Sequence, residues 1–342
     1  MKNHHVITIG TSAGGIQALK TLVSQLPKNF PASIHVVLHI SNEAPSNLPT
    51  ILKKAGQLSV SFSEDGERIE PGHIYIAPPD FHQILEYDRI RVIRGPRENR
   101  MRPAIDPLFR SAAVAYTSYA TGVILTGMLD DGTAGLQAIK ACGGTAIVQD
   151  PKDAAYSSMP ESAISNVKVD WVVPLNDIAA LLQQRIRQTP PVIKEVPAHL
   201  LLEVPIAQNA ITKPAIMDRI GKPVAQSCPS CGGPLWQMKN GSLLRYRCHI
   251  GHAFSNRTLV EEQSEATEKA LWIALRTLEE RARLLKNMSD NYAQKGATSL
   301  AKVHEERSAE AFDGALHIRS LIRDLRIVSE FPTDKKPKKE AS

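Results

Sequence analysis

Long apolar runs, cysteines and aromatic residues are all scarce in this chain of 342 residues, and each scarcity narrows what it can be. No stretch approaches the roughly 20 apolar residues of a membrane-spanning helix, and the polar start Met1-Lys2-Asn3-His4-His5 is no signal peptide. The reading is a cytoplasmic protein that is not integral to a membrane. Cysteine occurs four times, at Cys142, Cys228, Cys231 and Cys248, and three of these share one short segment. That clustering excludes a disulfide framework and points to a metal site in a reducing compartment. The first glycine-rich turn lacks the Lys-Ser/Thr pair of a P-loop and the second glycine of the dinucleotide fingerprint. The net charge of +6 is modest, and part of it lies in the tail Lys335-Lys336-Pro337-Lys338-Lys339, read as a solvated end.

What remains is enough to fold. With 42% hydrophobic residues, the chain has room for a sizeable core and for two domains, or for one with an appendage. Strand candidates at 6–9, 34–40, 74–77, 90–93, 122–126, 145–149 and 170–174 alternate with helix candidates at 16–26, 105–117, 133–141 and 178–187. Several strands have the near-continuous apolar character of buried parallel strands. The pattern predicts a doubly wound α/β domain over 1–187, mainly parallel, with an antiparallel edge hairpin within 64–95. Residues 188–226 are proline-rich and read as a linker. Residues 227–256 form a zinc-ribbon-like module, 257–330 a helical hairpin broken near Lys295-Gly296-Ala297, and 331–342 a disordered basic tail; in the hairpin Leu271, Leu275, Leu278, Ala282 and Leu285 line one face, and Ile318, Leu321, Ile322 and Leu325 another.

The stretch Val6-Ile7-Thr8-Ile9-Gly10-Thr11-Ser12-Ala13-Gly14-Gly15 carries the first chemical signal. Gly10 to Gly14 fit Gly-x-Ser-x-Gly between a strand and an amphipathic helix with Ile16, Leu19, Leu22, Val23 and Leu26 on one face, the setting that exposes a nucleophilic serine. Free amides at such a helix start can stabilise an oxyanion. The same turn also suits an anion cradle or a simple cap, so Ser12 needs partners. His39 sits at the carboxyl end of strand 34–40, the edge where Ser12 also lies; His35, four residues earlier, is roughly 13 Å further back. His73 and His82 have a weaker claim. Asp130 or Asp131, after strand 122–126, would orient the histidine, and spacing alone leaves that pair open. The order Ser, His, Asp and the position on the first strand exclude an α/β-hydrolase.

The residues resemble the catalytic domain of CheB-type chemotaxis receptor methylesterases. The matching stretches are Ile9 to Gly15, Leu38-His39-Ile40, Glu64 to Arg68, Pro71 to Pro78, Asn99 to Pro103, Asp106 to Phe109 and Gly122 to Gly132, in family order over about 6–178. The resemblance implies Ser12 as nucleophile, His39 as general base and acid, Asp131 as orienter, and the amides of Ala13 and Met128 as oxyanion hole. It implies hydrolysis of γ-glutamyl methyl esters on a chemoreceptor-like cytoplasmic helical bundle, with glutamine deamidation as a second activity and no catalytic cofactor. Family members usually begin with a phosphoacceptor receiver domain. This chain starts at the catalytic strand, so constitutive activity or control by a separate regulatory protein is expected. Position 13 is Ala where Thr is common, which an oxyanion hole built from the amide tolerates.

Cys228-Pro229-Ser230-Cys231 and Cys248-His249-Ile250-Gly251-His252 form the second signal. Cys228, Cys231 and Cys248 supply three zinc ligands and His252 the fourth, since the Cys-x-x-x-His span lets its ring swing back where His249 would have to fold sharply. Four protein ligands make the zinc structural. Chelation is expected to melt this module and leave the esterase domain active on a small ester. Arg245-Tyr246-Arg247 is too isolated to argue for nucleic acid and reads as part of a protein-docking knob. The competing functional reading is a non-catalytic signalling scaffold that keeps the methylesterase fold and works through ribbon and helices.

Overall fold

A computed structural model describes residues 4–39, 46–190, 195–208, 213–239 and 241–325. The chain opens with β1 (His5–Thr11), α1 (Gly15–Ser24), β2 (Ala32–Leu38), α2 (Leu48–Ala55), β3 (Ser59–Phe62) and β4 (His73–Ile76). Then come β5 (His82–Glu86), β6 (Arg89–Ile93), α3 (Ile105–Tyr116), β7 (Ala120–Ile124), α4 (Thr133–Ala141) and β8 (Thr145–Gln149). The α/β part closes with α5 (Ser158–Asn166), β9 (Trp171–Val173) and α6 (Leu175–Arg185).

Seven strands form one sheet in the order β3-β4-β2-β1-β7-β8-β9, every neighbouring pair parallel. All seven residues of β2 are buried, as expected for a strand covered on both faces. One face is packed by Leu19, Leu22 and Val23 of α1, Leu48 and Leu52 of α2, and Ile178 and Leu182 of α6. The other is packed by Leu108 and Phe109 of α3, Leu136 and Ile139 of α4, and Met159 of α5. The chain winds outward in one direction from β1 and in the other from β7. The switch between these adjacent strands opens a crevice at their carboxyl ends, where an open α/β sheet holds its ligand.

The antiparallel hairpin of 64–95 is β5–β6, a two-stranded sheet separate from the main one, while 74–77 became the interior strand β4. The proline-rich stretch is more structured than a linker. It holds α7 (Ala198–Ala207), α8 (Pro214–Ile220) and β10 (Gly221–Ser227). Its Ile206, Met217 and Ile220 bury against Trp236 and Met238 of β11 (Pro234–Met238). β10 and β11 continue into β12 (Arg245–Cys248) and β13 (Ala253–Ser255), an antiparallel four-stranded sheet.

Among the described residues, those up to Leu259 form one compact unit and those from Val260 on form a second. The second is a helical hairpin of α9 (Asn256–Gln294), from Val260 on, and α10 (Thr298–Leu325), turning at Gly296 with φ +76°. Leu275, Ala315 and Ile322 form its seam, and Lys286 pairs with Glu305 across it at 2.7 Å. Leu321 and Leu325, expected on the packed face, are about half exposed. The basic tail lies outside the described residues. Among those described, no helix is long and apolar enough to cross a membrane.

Candidate active site

Ser12 follows β1 directly, and the ends of β1 and β7 lock its position. Its amide donates to the Thr126 carbonyl at 3.1 Å, as does the Thr11 hydroxyl at 2.8 Å. The Thr126 hydroxyl donates to the Ala13 carbonyl at 3.0 Å. Gly127 must be glycine because a Cβ there would collide with the sulfur of Met159 and come within 3.0 Å of the Ser12 Cβ. Gly14 carries the turn in the left-handed region at φ +77°. Ser12, His39, Leu38, Lys20 and Ile16 line one open cleft of about 720 Å³. Ile16, expected on the buried face of α1, is 47% exposed because it sits at this open edge.

His39 lies one residue beyond β2 and its amide donates to the Thr11 carbonyl at 3.2 Å, which ties it to the strand that carries Ser12. Its Nε2 is 2.8 Å from Oδ2 of Asp131. With Nε2 turned to the carboxylate, Nδ1 is the ring nitrogen left to act as a base. Asp131, not Asp130, is therefore the residue that His39 meets.

Asp131 is 3% exposed and well supplied with donors. Oδ2 also accepts from the Ile105 amide at 2.7 Å; Oδ1 accepts from Asp106 N at 3.2 Å, Gly132 N at 3.0 Å and Asn99 Nδ2 at 3.1 Å. The amides of Ile105 and Asp106 open α3, so the carboxylate sits on a helix N-terminus, where negative charge is favoured. Burial opposes its ionisation, but His39 and these donors outweigh burial and hold its pKa below the ordinary value. Neighbouring Asp106 has fewer donors, Gly135 N and Asn99 Nδ2. Burial, reinforced by the charge on Asp131, pushes its pKa up to about 8.

The other histidines have structural surroundings. His35 is fully buried, stacked on Tyr75 at 5.1 Å and 3.2 Å from the Ser33 hydroxyl; burial drops its pKa to about 3, so it stays neutral. His73 meets the Ser61 hydroxyl at 2.8 Å. His82 braces a loop between Pro96 O at 2.8 Å and Ala104 N at 3.2 Å. For the two expected oxyanion donors, neither the Ala13 nor the Met128 amide is engaged by a backbone carbonyl among the described residues. Met128 is 42% exposed on the loop after β7, on the Ser12 side of the sheet.

Nothing in the sequence points to Asn99 and the start of α3 as partners of Asp131. Their spacing from Asp131 carries no signal, because the contact is made only when the loop after β6 folds over the sheet edge.

Cys228, Cys231, Cys248 and His252 converge with all four ligand atoms within 4.8 Å of one another. His252 Nδ1 is 3.8 Å from Cys228 Sγ and 3.6 Å from Cys248 Sγ; the Cys231 and Cys248 sulfurs are 3.8 Å apart. His249 is outside this group. The basic triplet is not a docking knob: Arg245 and Arg247 are 8% and 0% exposed. Arg245 pairs with Glu203 at 2.9 Å, and Arg247 pairs with Glu98 at 2.9 Å and Glu203 at 3.0 Å. Arg110 completes the cluster at 2.7 Å from Glu98 and 3.3 Å from Glu203.

A family profile described as CheB methylesterase matches residues 7–182. A Leptospira interrogans protein, provisionally named protein-glutamate methylesterase/protein-glutamine glutaminase, is 42% identical over 180 residues, which are 52% of this chain and 93% of that protein. The Thermotoga maritima protein-glutamate methylesterase/protein-glutamine glutaminase is 39% identical over 49% of this chain and 50% of its own length. The crystal structure of the Thermotoga maritima CheB methylesterase catalytic domain superposes with a TM-score of 0.52 at 37% identity, covering 54% of this chain and all of that one. The parallel sheet, the crevice at its switch point and the profile match over half the sequence place this chain in the CheB methylesterase family of hydrolases.

Proposed function

We propose that the chain hydrolyses γ-glutamyl methyl esters on a chemoreceptor-like helical signalling protein through a Ser12–His39–Asp131 triad. The observation that carries this is that His39, bonded to buried Asp131, lines one cleft with Ser12 at the carboxyl edge of the sheet. Ser12 Oγ attacks the ester carbonyl while His39 Nδ1 takes its proton. Asp131 fixes the tautomer and stabilises the imidazolium. The Ala13 and Met128 amides receive the charge on the carbonyl oxygen. Collapse of the tetrahedral species breaks the carbonyl–methoxy bond, and His39 returns the proton to methanol. Water then attacks the γ-glutamyl ester of Ser12, again losing its proton to His39, and frees glutamate and the serine. A glutamine side chain enters the same path with ammonia as leaving group, which fits the paired activities in the names of the relatives.

The cluster of three thiols and one imidazole suits a structural zinc. A tetrahedral ion with Zn–S of about 2.3 Å and Zn–N of about 2.05 Å has edges of about 3.8 Å between sulfurs and 3.6 Å between sulfur and nitrogen. The Cys231–Cys248 and Cys248–His252 distances match those edges. Zinc would hold the two knuckles together and have no open position for substrate.

The test is methanol release from a γ-glutamyl methyl ester peptide. Release by the wild type and its loss in Ser12→Ala support the reading; undiminished release by Ser12→Ala refutes it.

A further inference from the structure

We propose that Asn99 is a positioning residue for Asp131, and that the metal-bound hairpin 248–255 keeps Asn99 in place. The inference rests on the triad and zinc readings above.

Asn99 adopts the left-handed region at φ +48°, and all four hydrogen-bonding positions of its amide are used. Nδ2 donates to Asp131 Oδ1 at 3.1 Å and to Asp106 Oδ2 at 3.0 Å. Oδ1 accepts from Ser255 N at 2.9 Å and from Thr258 Oγ1 at 3.2 Å. With two donors on its oxygen, the amide cannot flip without leaving both unpaired, so its NH2 group stays on the two carboxylates.

Both oxygen-side donors come from the ribbon and the helix start that follows it. The backbone repeats the attachment: Asn99 N donates to Ala253 O at 2.8 Å, and Ala253 N donates to Arg97 O at 3.3 Å. Residues 97–99 thus lie against β13, with Glu98 bridging in parallel to Ala253.

β13 begins one residue after His252 and pairs with β12, which ends on Cys248. Cys248 N donates to His252 O at 2.9 Å. Between these ligands, Gly251 O accepts from Arg247 Nη1 at 2.8 Å, while Arg247 Nη2 reaches Glu98. Gly251, at φ +113°, lies so close to Pro96 that a Cβ would come within 2.8 Å of the proline ring. One short hairpin therefore carries two of the four ligands and also seats residues 96–99. So small a hairpin has little core of its own, and metal would supply much of its order.

Losing that order frees the Asn99 oxygen, lets the amide turn and removes the one side-chain donor shared by two buried carboxylates. Asp131 keeps His39 and three backbone amides, so the expected result is a weakened orienter and not a dead enzyme.

The test uses the full chain as wild type, Asn99→Gly, Cys231→Ser and the double variant. Asn99→Gly tolerates the left-handed backbone and removes the side chain with its amide. Kinetics on a small carboxylic ester, zinc content and the far-downfield proton NMR signal of the His39–Asp131 hydrogen bond are recorded for each. Asn99→Gly should keep its zinc and lose about tenfold in kcat with KM little changed, as for other groups that orient a reactive ligand from behind. Cys231→Ser should lose zinc and a similar factor in kcat. The double should be no worse than either single, because both act through one amide. The downfield signal should broaden in all three. Thr258→Val, which removes one donor to the Asn99 oxygen with little change of shape, should show a smaller loss and serves if Cys231→Ser does not fold. Full kcat with a sharp signal in zinc-free protein, or additive losses in the double, would overturn the proposal. So would a wild type that neither contains nor takes up zinc. If fluorophosphonate fails to label Ser12 in zinc-loaded wild type, the triad reading fails instead, and the two failures are told apart.

Discussion

Nε2 of His39 and Oδ2 of Asp131 meet at 2.8 Å from loops 92 residues apart, following β2 and β7. Those two strands flank β1 on either side, so the pair closes over the end of the strand that carries Ser12. Ser12→Ala and His39→Ala should each lower ester hydrolysis by about 10³-fold or more, and the double variant should fall little further, because the groups act as a unit. Thermal unfolding should be nearly unchanged for Ser12→Ala, whereas His39→Ala, which takes a partner away from buried Asp131, should also lower the unfolding temperature. A His39→Ala enzyme with near-normal turnover would remove the histidine from the mechanism.

Asp131→Asn should cost about 10²- to 10⁴-fold in kcat, because an amide at that position turns a donor toward His39 and the α3 amides. Asp130→Asn should stay within a few-fold. A steady-state comparison of the two decides it; the reverse ranking would contradict the 2.8 Å contact.

The parallel sheet and the convergence of Ser12, His39 and an aspartate on one edge were legible because buried strands and strand-end loops are local patterns. The choice of Asp131 over Asp130 came from the family resemblance and not from spacing, since the contacts that fix it, from Ile105 and Asn99, form only after folding. The ribbon spacing was legible for the same local reason. Its attachment was hidden: Arg245 and Arg247 look like exposed cations until Glu98 and Glu203, far away in sequence, are brought against them. The amphipathic count misplaced Ile16, because periodicity cannot tell a core face from the rim of a cleft.

The buried cluster of Glu98, Glu203, Arg110, Arg245 and Arg247 holds α7 and the ribbon to the α/β part. Glu203→Gln would leave three buried guanidiniums facing one carboxylate, and should cost about 3–5 kcal/mol in urea unfolding. Trp236, in the α7–α8–ribbon cluster, reports on it by fluorescence once Trp171 and Trp272 are replaced by Phe. A loss below about 1 kcal/mol would mean that the cluster does not hold these parts together.

Asp106 gives the protein a pH dependence of definite sign. Its folded pKa of about 8 lies above the unfolded value of 3.8, so the folded state binds more protons between these limits. Its stabilising contribution is complete below about 3.8 and is lost as pH rises through 8. The loss should approach about 1.4 kcal/mol per pH unit at most. Chemical denaturation from pH 5 to pH 9 should show a steeper fall in stability for the wild type than for Asp106→Asn, whatever the offset between them. Parallel curves would show that Asp106 is ionised throughout.

Mass spectrometry of the protein quenched during turnover of a γ-glutamyl methyl ester peptide tests the triad most directly. The account predicts a γ-glutamyl adduct on the peptide containing Ser12, formed by the wild type and absent from Ser12→Ala and His39→Ala. An active wild type whose adduct lies on another residue, or persists in Ser12→Ala, would contradict it.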